Sequence, residues 1–287
     1  ELGFKYYEHR LQLTKNISQI LPSSNKWKGT TIKGKKLFIF TEQGFGDSIQ
    51  FIRYISYIKK TSKAIILLKC PGILIPLFRN IEEIDFFIED SILPSFDYYL
   101  PLMSSGYALQ HTLSSIPYRL PCLNSKKRPL LSASVHSRFK IGLAWSGSEH
   151  NSNNHLRSIA IENFKELFTL THCQFYSLQK DHTCQKTLSK YNIINPMEEV
   201  NDFSDTAGYI MDLDLIISID SVIAHLSLAL GKPTWVLLGN ASDYRWSQNK
   251  SSTTWYPKAI IYKKKKKEKT WENILNRVKI DLLKLPL

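Results

Sequence analysis

Residues 214–235 read DLIISIDSVIAHLSLALGKPTW, and this stretch decides the fold class. It opens with an apolar run at 215–219, which has the length and the β-branched content of a strand buried on both faces. The run at 222–230 has the length of a helix, and a Gly-Lys-Pro turn then leads to another strand-like run at 234–238. Strand, helix and strand in this order predict a parallel βαβ unit.

The same alternation covers most of the chain and restarts after a polar, basic segment at 124–138. We therefore predict two doubly wound α/β domains, residues 1–135 and 136–287, joined by this linker. Ligands of such sheets bind at the carboxyl ends of the strands, so we expect the site in a cleft between two facing halves. The other predicted strands are 36–41, 64–68, 85–88, 98–100, 140–145 and 174–178, and the other predicted helices are 47–60, 71–80, 161–170, 204–211 and 271–283.

The composition excludes several classes of protein. Hydrophobic residues make up 43% and charged residues 22%, which rules out a disordered or collagen-like chain. The 38 Lys and Arg exceed the 25 Asp and Glu, giving a net charge of +13. We attribute most of this excess to compositional drift towards Lys, and we rank nucleic-acid binding last. The run at 263–267 lacks interleaved aromatic residues and predicts a solvated segment.

The location of the protein is predicted from what the sequence lacks. No apolar run reaches 18 residues, which predicts no transmembrane helix. The N-terminus has neither a signal-peptide pattern nor an initiator Met, so we expect a fragment of a longer protein. Cysteines without a CxxC pair fit a reducing, cytoplasmic compartment; they are Cys70, Cys122, Cys173 and Cys184.

A group of histidines and cysteines resembles a metal cluster in composition only. His172 and Cys173 are followed by His182 and Cys184, but this spacing matches no familiar zinc pattern. We predict a buried cysteine and surface histidines.

The hexapeptide EQGFGD at 42–47 lies between the first predicted strand and its helix. Gly44 and Gly46 allow the backbone to turn tightly and to approach a ligand closely. Asp47 at the start of the helix is well placed for general-base work. The alternative is that Asp47 only caps the helix, where free amides and the positive dipole end favour a carboxylate.

The octapeptide SIDSVIAH at 218–225 lies at the end of the most apolar strand. Asp220 or Ser221 is expected to cap the next helix, which leaves first-turn amides for an anion such as a diphosphate. His225 follows Ser221 by four residues and lies on the same helix face, from which it could donate to the same phosphate. The alternative for His225 is a satisfied core histidine.

The hexapeptide GLAWSG at 142–147 is another strand that runs into a small-residue loop. Ser146 and Gly147, with Arg157 nearby, could cradle phosphate oxygens, the arginine through a bidentate fork. A surface loop with a solvated arginine is the equal alternative.

Together these motifs resemble the C-terminal module of bacterial tetratricopeptide-repeat proteins that end in a heptosyltransferase-like glycosyltransferase domain of the family 9 type. The matching stretches occur in order from residue 7 to residue 257. They are YEHR (7–10), EQGFGDSIQFIRY (42–54), GLAWSG (142–147), RS (157–158), SLQK (177–180), FSDTA (203–207), DLIISIDSVIAHLSLALGKPTW (214–235), DYRW (243–246) and WYP (255–257).

The resemblance implies a GT-B fold, with two facing Rossmann-like domains, the acceptor in the N-terminal half and the donor in the C-terminal half. It implies tetratricopeptide repeats ahead of Glu1. It assigns Asp47, in the loop with Gly44 and Gly46, as the catalytic base. The donor-binding residues that it implies are Ser146, Gly147, Arg157, Gln179, Lys180, Asp220, Ser221 and His225.

We therefore expect a nucleotide-sugar-dependent glycosyltransferase acting on a glycan or protein acceptor. No cofactor and no divalent metal are expected, since a helix N-terminus, His225 and Arg157 offer fixed donors in place of a cation. The alternative is a non-catalytic scaffold or sugar-nucleotide-binding domain that assists the repeats. Val222, where the module has a second hydroxyl residue, favours that alternative.

Overall fold

The computed structural model describes residues 2–13, 21–89, 93–117, 122–128, 138–149, 153–180, 185–240, 242–246, 253–265 and 267–285. Its contacts divide the chain into unit 1, Glu1–Leu123, and unit 2, Asn124–Leu287. The boundary predicted at residues 135 and 136 lies outside the described residues. Arg128 packs on unit 2: its N–H donates to the Gly208 carbonyl at 2.9 Å, and its guanidinium lies 2.7 Å from Asp205.

Unit 1 is a parallel sheet with short helices. Its strands are β1 (Lys36–Phe40), β2 (Ile65–Lys69), β3 (Phe86–Phe87) and β4 (Tyr98–Pro101). Its helices are α1 (Leu2–Tyr7), α2 (Arg10–Leu13), α3 (Phe45–Phe51), α4 (Ile55–Ser62), α5 (Ile75–Phe78) and α6 (Ser105–Ala108), and its 3-10 turns are Ser23–Asn25, Ile52–Tyr54, Gly72–Leu74, Leu102–Ser104 and Leu113–Ser115. In the described part of the unit the strand order is β3-β2-β1-β4.

Unit 2 repeats this architecture with a wider parallel sheet. Its strands are β5 (Phe139–Ala144), β6 (Cys173–Ser177), β7 (Leu215–Ile219), β8 (Thr234–Leu238) and β9 (Ala259–Lys263). Its helices are α7 (Asn154–Arg157), α8 (Gln185–Lys190), α9 (Phe203–Asp212), α10 (Val222–Ala229) and α11 (Glu272–Leu282), and its 3-10 turns are Ile161–Phe164, Pro196–Glu199 and Tyr244–Trp246. The strand order among the described residues is β6-β5-β7-β8-β9.

In each sheet the strand order reverses its direction at one point, which we call the reversal. It lies between β1 and β4 in unit 1 and between β5 and β7 in unit 2. Doubly wound sheets bind ligands at the carboxyl ends of the strands beside such a reversal. Every residue of β7 and of β8 is buried, as expected for parallel strands covered on both faces. The strands predicted at 215–219 and 234–238 are confirmed to the residue.

The helix predicted at 161–170 is wrong. The segment is the 3-10 turn Ile161–Phe164 followed by further turns, held by bonds between residues three apart. Phe164, Leu167 and Leu170 are all buried. A spacing of three residues puts them on one side of a 3-10 turn, where side chains at i and i+3 eclipse.

Two more elements differ from the prediction. The helix predicted at 47–60 begins earlier, at Phe45, and is interrupted at Ile52–Tyr54, where Arg53 Nε donates to the Gln50 carbonyl at 2.7 Å. The solvated segment predicted at 263–267 begins inside a strand, because Ala259–Lys263 pairs with β8.

Within the described ranges, no helix combines the length and the apolar character needed to cross a bilayer. Cys70, Cys122 and Cys173 are free thiols, and burial raises the pKa of the Cys70 thiol to about 12. Cys184 and His182 lie outside the described residues.

Candidate functional site

The carboxyl ends of β5, β6 and β7 bring three predicted segments together in unit 2. Because β5 lies between β6 and β7, the residues that follow these strands share one edge of the sheet. The N–H of Ser146 donates to Gln179 Oε1 at 3.1 Å. The structure therefore places Gln179 beside the Ser146–Gly147 loop.

Gly147 packs directly against Arg157. A Cβ on Gly147 would lie 2.6 Å from Arg157 Nη2, so only glycine fits here without a shift. Arg157 Nη1 donates to the backbone carbonyl of Asp220 at 2.9 Å. The loop after β5 thus delivers a guanidinium to the turn that precedes α10.

Ser221, one of the two predicted caps, is the N-cap of α10. Its Oγ accepts from the N–H of Ile223 at 3.2 Å and lies 2.9 Å from Ser218 Oγ. The first-turn amides and the helix dipole give this end of α10 a partial positive charge. Arg157 adds a full positive charge to the same turn, beside the carboxyl group of Asp220.

His225 is buried in an aromatic cluster, with 3% of its surface exposed. Its Nδ1 lies 2.9 Å from the Tyr256 hydroxyl, and its ring stacks on Trp246 with centroids 5.2 Å apart. Its Nε2 lies 3.8 Å from Asp220 Oδ1, beyond hydrogen-bond distance. His225 therefore has the packing of a core histidine, while its second nitrogen is directed to the turn that Arg157 contacts.

The Asp220 carboxyl is mostly buried, with 17% of the side chain exposed. Burial raises its pKa, and the Trp246 side chain and the charges of Arg245 and Arg157 lower it by a smaller amount. Keeping this group charged at neutral pH therefore costs folding free energy. Such a cost is common where a carboxylate serves a site rather than the fold.

We expect an Asp220→Asn variant to melt a few degrees above the parent at pH 7, as a change of about 1 kcal/mol does in a chain of this size. Because the pKa of Asp220 is higher in the folded than in the unfolded state, its protonation stabilises the fold. This contribution is complete below the pKa of the unfolded state and is lost as the pH rises through the pKa of the folded state. The amide of the variant does not titrate, so the difference in melting temperature between variant and parent should disappear near pH 4, around the pKa of the unfolded state.

Thermal melts between pH 4 and pH 8 measure this difference. Asp281→Asn is the matched control, because a hydrogen bond from Lys284 lowers the pKa of Asp281 and the sign of the effect is reversed. An Asp220→Asn variant that melts below the parent at pH 7 would contradict the prediction.

Three residues around His225 and Asp220 were not identified from the sequence: Tyr256, Trp246 and Arg245. Arg245 is 9% exposed, and its Nε lies 3.3 Å from Asp243 Oδ1. These residues come from segments 20 or more positions after α10 begins. Apart from their place in the DYRW and WYP stretches, no local pattern marks them.

Lys180 is a predicted donor-binding residue, but its ammonium group binds a backbone carbonyl elsewhere in unit 2. Its Nζ donates to the Val200 carbonyl at 2.7 Å, in the segment before α9. We therefore omit Lys180 from the unit 2 cluster, which is defined here as Ser146, Gly147, Arg157, Gln179, Asp220, Ser221 and His225.

In unit 1 the loop at 42–47 follows β1, beside the reversal in that sheet. The left-handed backbone conformation of this loop falls on Gln43, with φ 57°, and not on Gly44 or Gly46. Gly44 is the N-cap of α3, and Gly46 is the second residue of the helix. Asp47 Oδ2 accepts from the N–H of Gly44 at 3.0 Å, so the carboxylate closes the first turn.

A buried ion network holds this loop. Arg10 lies 2.9 Å from Glu8 and 3.1 Å from Glu42, and its Nη2 also donates to Ser104 Oγ at 3.0 Å. Lys26 adds a second cation, 2.6 Å from Glu8. The YEHR stretch of the sequence thus serves to anchor the first residue of the EQGFGD loop.

The network determines the protonation of its two carboxyls. Burial raises the pKa of Glu42, and the charge of Arg10 offsets only part of that rise. Burial also acts on Glu8, but the bonds and charges of Lys26 and Arg10 outweigh it and lower the pKa of Glu8.

In the described ranges, no three His, Cys, Asp or Glu side chains converge on a possible metal ion. The sequence does contain an Asp-x-Asp triplet, Asp212-Leu213-Asp214, a pattern that can hold a metal. Lys140 engages both carboxylates: its Nζ lies 2.9 Å from Asp212, and its N–H donates to Asp214 at 2.8 Å. The triplet precedes β7, so it lies at the amino ends of the strands, whereas the unit 2 cluster lies at their carboxyl ends.

Sequence comparisons identify no relative. No protein-family profile matches the chain, and no curated protein matches it.

Solved structures do share its fold. The iron-containing dodecameric glycosyltransferase TibC from enterotoxigenic E. coli H10407 superposes with a TM-score of 0.57 at 12% identity, covering 80% of this chain and 63% of its own. The family 9 glycosyl transferase of Veillonella parvula DSM 2008 gives 0.55 at 12% identity, covering 87% and 92%. The E. coli ADP-heptose LPS heptosyltransferase II gives 0.56 at 14% identity, covering 86% and 98%.

The chain spans less than two thirds of TibC but nearly all of the other two proteins. At these identities the likeness concerns the fold. The chain therefore has the GT-B type of α/β fold, built from two Rossmann-like units, as these glycosyltransferases have.

Proposed function

We propose that the chain is a glycosyltransferase that moves a sugar from a nucleotide-sugar donor to a hydroxyl of a glycan or protein, without a divalent metal. The observation that carries the proposal is the Arg157 guanidinium bonded to the turn that starts α10. That turn follows β7, beside the reversal where doubly wound sheets bind ligands. The fold shared with an ADP-heptose heptosyltransferase supports a nucleotide-sugar donor.

The donor's diphosphate is assigned to the unit 2 cluster. The amides at the start of α10 and the guanidinium of Arg157 are fixed before the ligand arrives, so they need little reorganisation to accept negative charge. Because these groups supply positive charge, they take the place that a metal ion has in other transferases. Ser146 and Gln179 hold the loop that supports Arg157.

The acceptor hydroxyl is assigned to Asp47. In the proposed step, the acceptor oxygen forms a bond to the anomeric carbon while the bond from that carbon to the phosphate oxygen breaks. The electron pair of the broken bond leaves with the nucleoside diphosphate, and the hydroxyl proton passes to Asp47. The bond from Gly44 N–H orients the carboxylate for this role.

A non-catalytic scaffold or sugar-nucleotide-binding domain is the second candidate. Val222 at the first position of α10 and the internal hydrogen bond of His225 favour it. The enzyme and the sugar-nucleotide-binding domain both bind a nucleoside diphosphate, and only the enzyme needs Asp47. The repeats ahead of Glu1 and the cytoplasmic location remain predictions.

Arg157→Gln is expected to weaken nucleoside diphosphate binding tenfold or more. A charge-assisted hydrogen bond contributes roughly 1.5–3 kcal/mol, and about 1.4 kcal/mol is a factor of ten in affinity. Calorimetry with ADP, UDP, GDP and CDP, each in the presence of a chelator, measures the effect. Arg79→Gln, at an exposed arginine of unit 1, is the control and should bind as the parent does.

Two outcomes would overturn parts of this account. Equal affinity in a folded Arg157→Gln variant would remove the arginine from the donor site. Binding that disappears in chelator and returns with manganese would contradict the metal-independent reaction.

A further inference from the structure

Tyr256, His225 and Asp220 are successive neighbours in unit 2. The Tyr256 hydroxyl lies 2.9 Å from His225 Nδ1, and His225 Nε2 lies 3.8 Å from Asp220 Oδ1. Tyr256 is fully buried and His225 nearly so. The backbone carbonyl of Asp220 accepts a hydrogen bond from Arg157.

The histidine ring is fixed in orientation by aromatic packing. Trp246 stacks on His225 with an interplanar angle of 29° and on Tyr256 with an angle of 26°. Tyr256 is itself held by a bridge to Thr253 in the turn before β9. Because both rings are packed, the two imidazole nitrogens keep different neighbours.

Those neighbours distinguish the two tautomers. A neutral imidazole has one N–H donor and one acceptor nitrogen, and the bond made by one nitrogen determines the other. If Nδ1 carried the proton, the lone pair of Nε2 would face Asp220 Oδ1, and two acceptors would oppose each other. If the Tyr256 hydroxyl donates to Nδ1, the proton lies on Nε2 and faces the carboxylate.

We infer that Tyr256 is a positioning residue, whose hydroxyl donates to His225 Nδ1 and holds the proton on Nε2, towards Asp220 and the start of α10. This arrangement keeps an N–H donor directed to the turn where a diphosphate is proposed. The part of the inference that concerns a ligand rests on the proposed function, whereas the tautomer does not.

The tautomer is measured first, by ¹⁵N NMR of the imidazole nitrogens in the full chain. We expect the parent to show His225 protonated on Nε2 and unprotonated on Nδ1, with the resonance assigned by its loss in His225→Gln. Tyr256→Phe keeps the ring stacking and removes the hydroxyl, so the spectrum should shift to a mixture of tautomers. Tyr262→Phe is the matched control, since it removes a bond to Asp281 elsewhere in unit 2.

A parent spectrum with the proton on Nδ1 would overturn the inference without any variant. An unchanged His225 tautomer in Tyr256→Phe would overturn it as well.

Nucleoside diphosphate affinity provides the second readout. Tyr256→Phe should weaken binding roughly fivefold, as the loss of one hydrogen bond of about 1 kcal/mol does, and Tyr262→Phe should leave it unchanged. Equal losses in both variants would show a general packing effect and contradict the positioning role. If the parent binds no nucleoside diphosphate, the proposed function fails while the NMR result still decides the role of Tyr256.

Discussion

An Asp47→Asn variant is expected to fold like the parent and to lose roughly 10²–10⁴-fold of its turnover, the usual contribution of a positioned general base. The side-chain oxygen of asparagine can still accept from the N–H of Gly44, which preserves the closed first turn of α3. An amide cannot take the acceptor proton. Thermal melts beside a transfer assay, with the donor that the parent uses, separate the two properties.

Asp97→Asn is the matched control for this substitution. Asp97 Oδ2 accepts from the N–H of Lys36 at 2.8 Å, a bond of the same kind at the opposite end of β1. Its amide variant should keep full turnover. If Asp47 only caps the helix, Asp47→Asn would also keep full turnover, whereas Asp47→Ala would cost around 1 kcal/mol of stability. An Asp47→Asn variant as active as the parent would remove Asp47 from the mechanism.

Arg10→Met is expected to lower the free energy of unfolding by about 3–5 kcal/mol, the usual cost of removing one partner from a buried ion pair. Arg10 is 8% exposed and Glu42 5% exposed, so neither charge is screened by solvent. Without the guanidinium, Glu42 stays buried with the N–H of Met103 as a remaining partner. Because burial already raises the pKa of Glu42, the loss should be largest at neutral pH and smaller in acid, where that carboxyl is protonated.

Chemical denaturation at pH 5 and pH 7 measures the cost of losing Arg10. The double variant Arg10→Met/Glu42→Gln should recover part of the lost stability, since it removes the unpaired charge. Arg79→Met, at an exposed arginine of the same unit, should change stability little. An Arg10→Met variant as stable as the parent would show that the network does not hold the loop.

The fold could be predicted from the sequence because its strands are continuous apolar runs. Every residue of β7 and β8 is buried, so each strand is a nearly uninterrupted apolar run. The first and last residues of such a run can be recognised in the sequence. The prediction failed at 161–170, where buried residues recur every three positions in a 3-10 turn and imitate a helix. It also missed Ala259–Lys263, because the lysines after the apolar run hide an edge strand.

The unit 2 cluster could be predicted where its residues follow strands directly. Ser146 and Gln179 meet because the neighbouring parallel strands β5 and β6 end at one edge of the sheet, a consequence of topology alone. Tyr256 contacts His225 across 31 positions and Arg10 contacts Glu42 across 32. Contacts of this kind depend on how loops pack, which no local pattern in the sequence encodes.

The most direct test of the central claim is mass spectrometry of the purified protein after incubation with a panel of nucleotide sugars in chelator. The account predicts that the parent releases a nucleoside diphosphate from at least one nucleotide sugar, and that Asp47→Asn releases it at least 100-fold more slowly. Binding of a nucleotide sugar without any turnover, alike in the parent and in Asp47→Asn, would contradict the enzyme and leave the scaffold.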